Sequence, residues 1–247
     1  MMSIVRKLAE RGEQLFNAPP EHVRFTSVKD ADMLLNDLSG HPHAFVLACI
    51  MDRQVTAERA WLIPHLFSQR LGNFEFQRLE GLSQNDIKTH MSVPNPLHRF
   101  VDTMSMSLYA GIRRIADDYG GDASQIWADA PPSAEVVYRF LQFRGIGPKI
   151  ATMATNILAR EFKIPFSDHY SIDISADVHV KRVFGRLGLC ARDASTEQVI
   201  YRARALYPKF PGIMDLACWE IGRQWCGSRG QKCSDCYMRD ICPSSTA

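Results

Sequence analysis

Apolar side chains recur at helical spacing along most of this chain. The apolar–polar alternation of a half-buried strand is nearly absent, so the pattern predicts an all-α protein. Met1 to about Phe16 reads as an amphipathic helix, with Ile4, Val5, Leu8, Leu15 and Phe16 on or near one face, and Asn17-Ala18-Pro19-Pro20 stops it. A short helix follows over 29–38. His41-Pro42 opens a more apolar one through Phe45, Val46, Leu47, Ile50 and Met51, and another runs from about Thr56 to Leu71. Ser83, with Asp86 three residues on, marks a helix start that reaches about Met91. Pro94 and Pro96 break the pattern before a long helix over 97–117, carried by Phe100, Met104, Leu108, Ile112 and Ile115. Helices at about 122–129, 133–143 and 148–160 come next, then an irregular stretch over 161–174 holding Pro165, Ser167, Asp168, His169 and Tyr170. Ala176-Asp177 opens a helix with Val180, Val183, Phe184 and Leu187. Ser195 and Gln198 form a second capping box before a helix to about Leu206, and Pro211 begins one reaching Gln224. No repeat, linker or low-complexity tract is visible.

One join in this pattern carries unusual chemistry. Between the helices 133–143 and 148–160 lies Arg144-Gly145-Ile146-Gly147-Pro148-Lys149, with two glycines, a proline and a lysine inside five residues. Pro148 suits the first helical position, where its missing N–H would be unpaired anyway. Gly145 and Gly147 permit the positive φ of so short a turn and let another backbone come close. A phosphodiester is one such backbone, because the uncovered N–H groups of a helix start attract anions. Lys149 falls in the first helical turn, where the positive end of the helix dipole disfavours an ammonium. Taken alone, the motif describes an ordinary tight turn between two core helices equally well.

Composition narrows the class. The 247 residues suffice for one domain or two small ones, and 46% apolar with 23% charged residues is ordinary for a soluble globular protein. No apolar run reaches membrane-spanning length. The first helix, with Arg6, Lys7, Glu10, Arg11 and Glu13, is no signal peptide, so a cytoplasmic protein without membrane contact is expected. The net charge of +2 hides an asymmetry: residues 1–138 carry 13 basic against 17 acidic side chains, residues 139–247 carry 16 against 10. The basic half contains the glycine turn, as a phosphate-binding face requires.

Of the seven cysteines, Cys49, Cys190 and Cys218 sit in apolar helical contexts and read as core. The other four, Cys226, Cys233, Cys236 and Cys242, follow the spacing Cys-x6-Cys-x2-Cys-x5-Cys. Four thiolates within seventeen residues can wrap one soft centre, and thiolates select zinc or iron–sulfur clusters. Spacing alone leaves the two open; disulfides are disfavoured in a cytosolic chain.

The turn Gly145-Ile146-Gly147-Pro148-Lys149-Ile150-Ala151 resembles the Leu-Pro-Gly-Val-Gly-x-Lys-Thr-Ala hairpin of the helix-hairpin-helix (HhH-GPD) DNA glycosylases related to endonuclease III. The Leu-Pro pair is replaced by Phe143-Arg144 and the Thr by Ile150. The cysteine spacing is that family's [4Fe–4S] loop, and Leu216–Cys226 resembles the helix that leads into its first cluster cysteine. Together these motifs cover the chain from roughly Phe45 to Pro243. The resemblance implies an all-α, two-lobed fold: a helical barrel lobe over 28–143 that leads into the hairpin, and a second lobe of 1–27 plus 144–247 carrying the hairpin, the catalytic residues and the cluster, with the active site in the cleft between them.

The resemblance also assigns residues. Lys149 would be the nucleophile that forms a Schiff base with the sugar. Asp177, in Asp177-Val178-His179-Val180, resembles the family's Val-Asp-Thr-His carboxylate beside the developing cation. The interval from Lys149 is longer than the family's by about one short loop, which makes Asp168 a competitor, and the extra residues around Phe166–Ile174 would line or cap the base pocket. Gln54 matches a glutamine that enters the duplex. Leu108-Tyr109 resembles the Leu-Tyr preceding a DNA-wedging loop, although the residues that follow are shortened. Gly145 and Gly147 would admit the DNA backbone. Arg229 and Lys232 would contact it from the cluster loop, and Cys226, Cys233, Cys236 and Cys242 would hold the [4Fe–4S] unit as a staple. Adenine glycosylases of the group carry a glutamate where this chain has Ala48, and they lack the lysine. The implied activity is that of a bifunctional glycosylase and abasic-site lyase. It would act as a monomer on double-stranded DNA holding a damaged base, an oxidised pyrimidine by preference, or an abasic site. The competing reading is a catalytically silent or monofunctional iron–sulfur DNA-binding protein of the same fold, with a zinc-stapled nuclease as a third.

Overall fold

A computed structural model of the chain describes residues 2–245. It is 61% helix with no strand, as the periodicity predicts; the extended pairing among the described residues is the isolated antiparallel bridge of Cys226 with Gln231. The helices are α1 (Met2–Asn17), α2 (Lys29–Asn36), α3 (Pro42–Met51), α4 (Ala57–Leu71), α5 (Phe76–Glu80), α6 (Gln84–Ser92), α7 (Val101–Tyr119), α8 (Ser133–Leu141), α9 (Pro148–Arg160), α10 (Val178–Arg186), α11 (Thr196–Leu206) and α12 (Asp215–Gln224). No helix is long and apolar enough to cross a membrane among the described residues.

The chain divides into two compact units, one of Met1–Pro20, Pro132–Val137 and Thr155–Ala247, the other of Glu21–Pro131 and Tyr138–Ala154. The division falls inside α8 and α9, so the glycine turn counts with residues 21–131, whereas the sequence reading grouped everything from 144 onward. The turn itself is the physical reason: Ile146 is buried, and Gly145 lies against Ser107 of α7 and the Ile50 carbonyl.

In the 21–131/138–154 unit, α3 is the centre. All ten of its residues are buried, and a helix apolar on every side is stable only when wrapped by others. Helices α2, α4 and α7 pack around it. Phe45 stacks on Trp61 of α4 at 5.7 Å, and α7 comes so close that a Cβ at Gly111 would lie 2.4 Å from Ile50 Cδ1. His43 is a core residue: its Nε2 lies 2.7 Å from Phe74 O, and burial pushes its pKa down to about 4.

In the other unit α1, α10, α11 and α12 enclose a core that includes Leu8, Phe184, Val199, Met214 and Cys218. Arg11 of α1 grips Glu220 of α12 through two bonds of 3.1 and 2.7 Å. Both predicted capping boxes form, at Ser83 with Asp86 before α6 and at Ser195 with Gln198 before α11.

Candidate functional site

The glycine turn and the end of α3 meet. Gly145 adopts φ +96°, which side-chain-bearing residues rarely take, so the chain's own backbone calls for glycine; a Cβ there would make ordinary contact with Ser107 Oγ at 3.6 Å and Ile50 O at 3.9 Å. Gly147 does not share that conformation, and a Cβ added to it would meet nothing within 4 Å. Lys149 follows in the first turn of α9, exposed, with no hydrogen bond or ion pair to its ammonium among the described residues. Thr152 Oγ1 covers the backbone instead, donating to Pro148 O at 2.9 Å.

From α3 the chain continues through Asp52, Arg53 and Gln54. Gln54 is exposed at φ +54°, a left-handed conformation uncommon outside glycine, and its carbonyl accepts from Arg99 at 3.4 Å. Asp52, which the sequence reading passed over, is half-buried at the helix end. Burial raises its pKa and the attraction of Lys149 opposes the rise, which puts this carboxyl within electrostatic reach of the lysine. Nothing in the local sequence marks it, because an acid at a helix end is ordinary.

The structure buries Leu108 and leaves Tyr109 half-buried. Both lie inside α7, where no loop exists, and Leu108 is 4% exposed, lining an apolar cavity with Leu47, Met51, Phe67 and Phe74. A buried helical leucine cannot enter a duplex. The loop beside Gln54 is instead Val93–Phe100, held by Arg59 to the carbonyls of Leu97 (3.0 Å) and Pro96 (3.2 Å), and by Arg70 to those of His90 (2.5 Å) and Asn95 (2.6 Å). Arg99 lies over the exposed Phe100 ring at 4.7 Å. Its signal in the sequence was Pro94-Asn95-Pro96 followed by a basic and an aromatic residue.

In the other unit the two competing carboxylates have different surroundings. Asp168 Oδ1 accepts from Ser133 Oγ at 2.6 Å and from Tyr170 N at 3.1 Å, while Ser133 Oγ also accepts from Ser171 N at 3.0 Å. Asp168 is thus the knot that ties the 161–174 stretch to the start of α8. His169 is wedged between Phe16 and Phe210, at 5.4 and 4.7 Å, and burial lowers its pKa; it packs and does not ligate. Tyr170, 60% exposed, is the large apolar side chain this stretch presents outward, beside the exposed Pro165 and Ser167. Asp177 caps α10: its Oδ1 accepts from His179 N and Val180 N, each at 2.8 Å, and among the described residues no hydrogen bond engages Oδ2.

The C-terminal end of α10 holds the cysteine segment. Arg182 Nε donates to Cys226 O at 2.7 Å, Arg186 donates to Cys226 Sγ at 3.1 Å and to Gly227 O at 2.8 Å, and the Cys242 thiol donates to Arg186 O at 3.8 Å. Cys226, Cys233, Cys236 and Cys242 line one cavity. Among the described residues no three His, Cys, Asp or Glu side chains close on a point as ligands to a single ion do. Burial first, and then the other three cysteines, raise the pKa of Cys236. Arg229 and Lys232 are exposed on the same loop.

Comparison with known proteins identifies the fold. No family sequence model matches the chain, and no curated protein is similar to it in sequence. Solved structures do match in shape. An endonuclease III trapped as a covalent intermediate with DNA superposes with a TM-score of 0.61 at 15% identity, covering 99% of this chain and 97% of that one. A thermostable thymine-DNA glycosylase gives 0.63 at 15% identity over 98% and 96%. The 8-oxoguanine glycosylase/lyase of Clostridium acetobutylicum gives 0.52 at 14% identity over 85% and 69%. The chain has the helix-hairpin-helix DNA glycosylase (HhH-GPD) fold.

Proposed function

We propose that the chain is a base-excision DNA glycosylase with abasic-site lyase activity, and that oxidised pyrimidines in duplex DNA are its substrates. One observation carries this reading: an exposed, unpaired lysine follows a glycine, Gly147, that no internal contact explains. A side-chain-free backbone with room in front of it suits a phosphodiester, and the lysine beside it suits the sugar.

In this reading the flipped nucleotide presents C1′ to Lys149. The neutral amine forms the Nζ–C1′ bond as the glycosidic C–N bond breaks and its electron pair leaves with the base. Asp177 Oδ2, free of the capping bonds, supplies negative charge to the oxocarbenium that develops at the sugar. The sugar ring then opens to a Schiff base on Lys149. Loss of a C2′ proton and of the 3′ phosphate, with its electron pair, breaks the strand and leaves a conjugated imine for water to release. Gly145 and Gly147 receive the backbone, Gln54 with Arg99 and Phe100 engages the duplex at the flipped site, and Arg229 and Lys232 add phosphate contacts. Cys226, Cys233, Cys236 and Cys242 would hold a [4Fe–4S] cluster, which would serve as a staple for α10 and the C-terminal segment. Of the solved structures similar in fold, the trapped endonuclease III and the 8-oxoguanine glycosylase/lyase lend this reading support by what they do.

Borohydride trapping on duplexes carrying an abasic site or thymine glycol tests it. Wild type should form a covalent adduct, and Lys149→Gln should lose it by at least about a thousandfold while binding the same duplex within a few-fold. Binding without trapping by wild type would instead establish the silent or monofunctional protein.

A further inference from the structure

Beside the carboxylate assigned to the reaction lies a second one that no step above uses. Asp215 opens α12 with its side chain partly buried, and its Oδ2 accepts from Ser175 N at 3.2 Å. Ser175 O in turn accepts from Asp177 N at 2.6 Å. The turn that aims Asp177 is therefore tied at its back to Asp215.

The charges around Asp215 come from three elements. Arg160 of α9 attracts it, Asp177 at the head of α10 repels it, and the buried Cys218 thiol sits on its own helix. Farther along α12 the facing groups are already paired, Arg11 of α1 with Glu220 and Arg182 of α10 with His179. Burial outweighs Arg160 and pushes the Asp215 pKa up to about 6. A fold that needed only an acceptor for Ser175 N would be served by a neutral asparagine. Keeping a partly buried acid next to another acid works against folding, and such pairs are common at functional sites.

We propose that Asp215 is a positioning residue for Asp177: it fixes the Ser175–Asp177 turn, and its charge adds to the negative field that Asp177 presents to the sugar cation. The inference rests on the reading of Asp177 as the oxocarbenium-stabilising carboxylate. It is specific to the ionised form, which a purely structural role is not.

The experiment is single-turnover borohydride trapping on a thymine glycol duplex from pH 5 to 8, with wild type, Asp215→Asn, Arg160→Gln and Asp177→Asn. The ratio of wild-type to Asp215→Asn rates cancels every ionisation the two share, that of the Lys149 amine included. It should rise from near one at pH 5 to about three- to tenfold above pH 7, with duplex affinity unchanged. Arg160→Gln, which removes the attracting charge, should move the midpoint of that rise to higher pH, and it carries the test if Asp215→Asn folds poorly. A ratio that stays flat across the range overturns the proposal. A wild-type rate that Asp177→Asn does not reduce overturns the reading of Asp177 itself, whatever Asp215 does.

Discussion

The glycine turn at 143–149 and the acidic stretch at 168–177 use polar residues in opposite ways. In the turn, Arg144, Pro148 and Lys149 are exposed and Gly147 faces open space. In the acidic stretch every carboxylate has internal employment: Asp168 with Ser133 and Tyr170 N, Asp173 with Arg204 through two bonds of 2.7 Å, and Asp177 with the first N–H groups of α10. A residue type that the fold does not explain points outward, to a ligand. A residue that the fold does explain reveals a second role only through what its internal bonds leave over, here Asp177 Oδ2. Substitutions in the turn should therefore register as function, and substitutions in and behind the acidic stretch first as stability.

The largest stability effect is expected at Asp215. Its carboxyl pKa is raised from 3.8 to about 6 by burial, so the folded state holds the proton more tightly than the unfolded chain does. That stabilisation is complete below pH 3.8 and is lost as pH rises through about 6, a swing of about 3 kcal/mol. Urea unfolding of wild type and Asp215→Asn should show the variant gaining about that much on wild type between pH 4 and 7. Parallel pH profiles would mean that the acid is not desolvated. Asp173→Ala comes next. Arg204 is partly exposed, so losing the pair should cost about 2 kcal/mol rather than the full cost of orphaning a buried charge. Asp168→Ala should cost about 1 kcal/mol and leave the trapping rate within twofold. Asp177→Asn, whose amide oxygen can still cap α10, should melt within a few degrees of wild type but trap at least about a hundredfold more slowly. An inactive Asp168→Ala would exchange the two assignments.

Much of this fold was legible because its signals are local. The capping boxes at Ser83 and Ser195, Pro42 and Pro148 at helix starts, and the apolar periods fixed most helices within a few residues. Helix α5, five residues long, is too short to show a period. Helix α7 starts at Val101 rather than 97, because the guanidinium of Arg59, far back in the sequence, takes the carbonyls of Pro96 and Leu97. Leu108 carries two signals that disagree. Its place in the stripe Met104, Leu108, Ile112 and Ile115 marks it as core, where the structure puts it, whereas the two-residue resemblance points outward. The proximity of Asp52 to Lys149 and the link from Asp215 to Asp177 depend on packing between distant segments, which no window of sequence contains.

Gly145 and Gly147 look alike in the sequence and bring the comparison down to two atoms. Gly145→Ala forces a side chain onto φ +96° and should cost about 1–2 kcal/mol of stability. Gly147→Ala should leave the melting temperature unchanged and weaken duplex binding by about tenfold, because the added methyl fills space that only an external backbone would use. The smallest effect belongs to the cysteine loop. Arg229→Ser and Lys232→Ser should each lower the slope of log affinity against log salt by about one, with no change in trapping once the duplex is saturating. A slope that does not move would make these two exposed charges solubilising groups only, and would leave phosphate contacts to the glycine turn and the Gln54–Arg99 edge. A slope that moves in one variant alone would mark which side of the loop meets the duplex, since Arg229 stands just before the left-handed Gly230 and Lys232 just after the bridge residue Gln231.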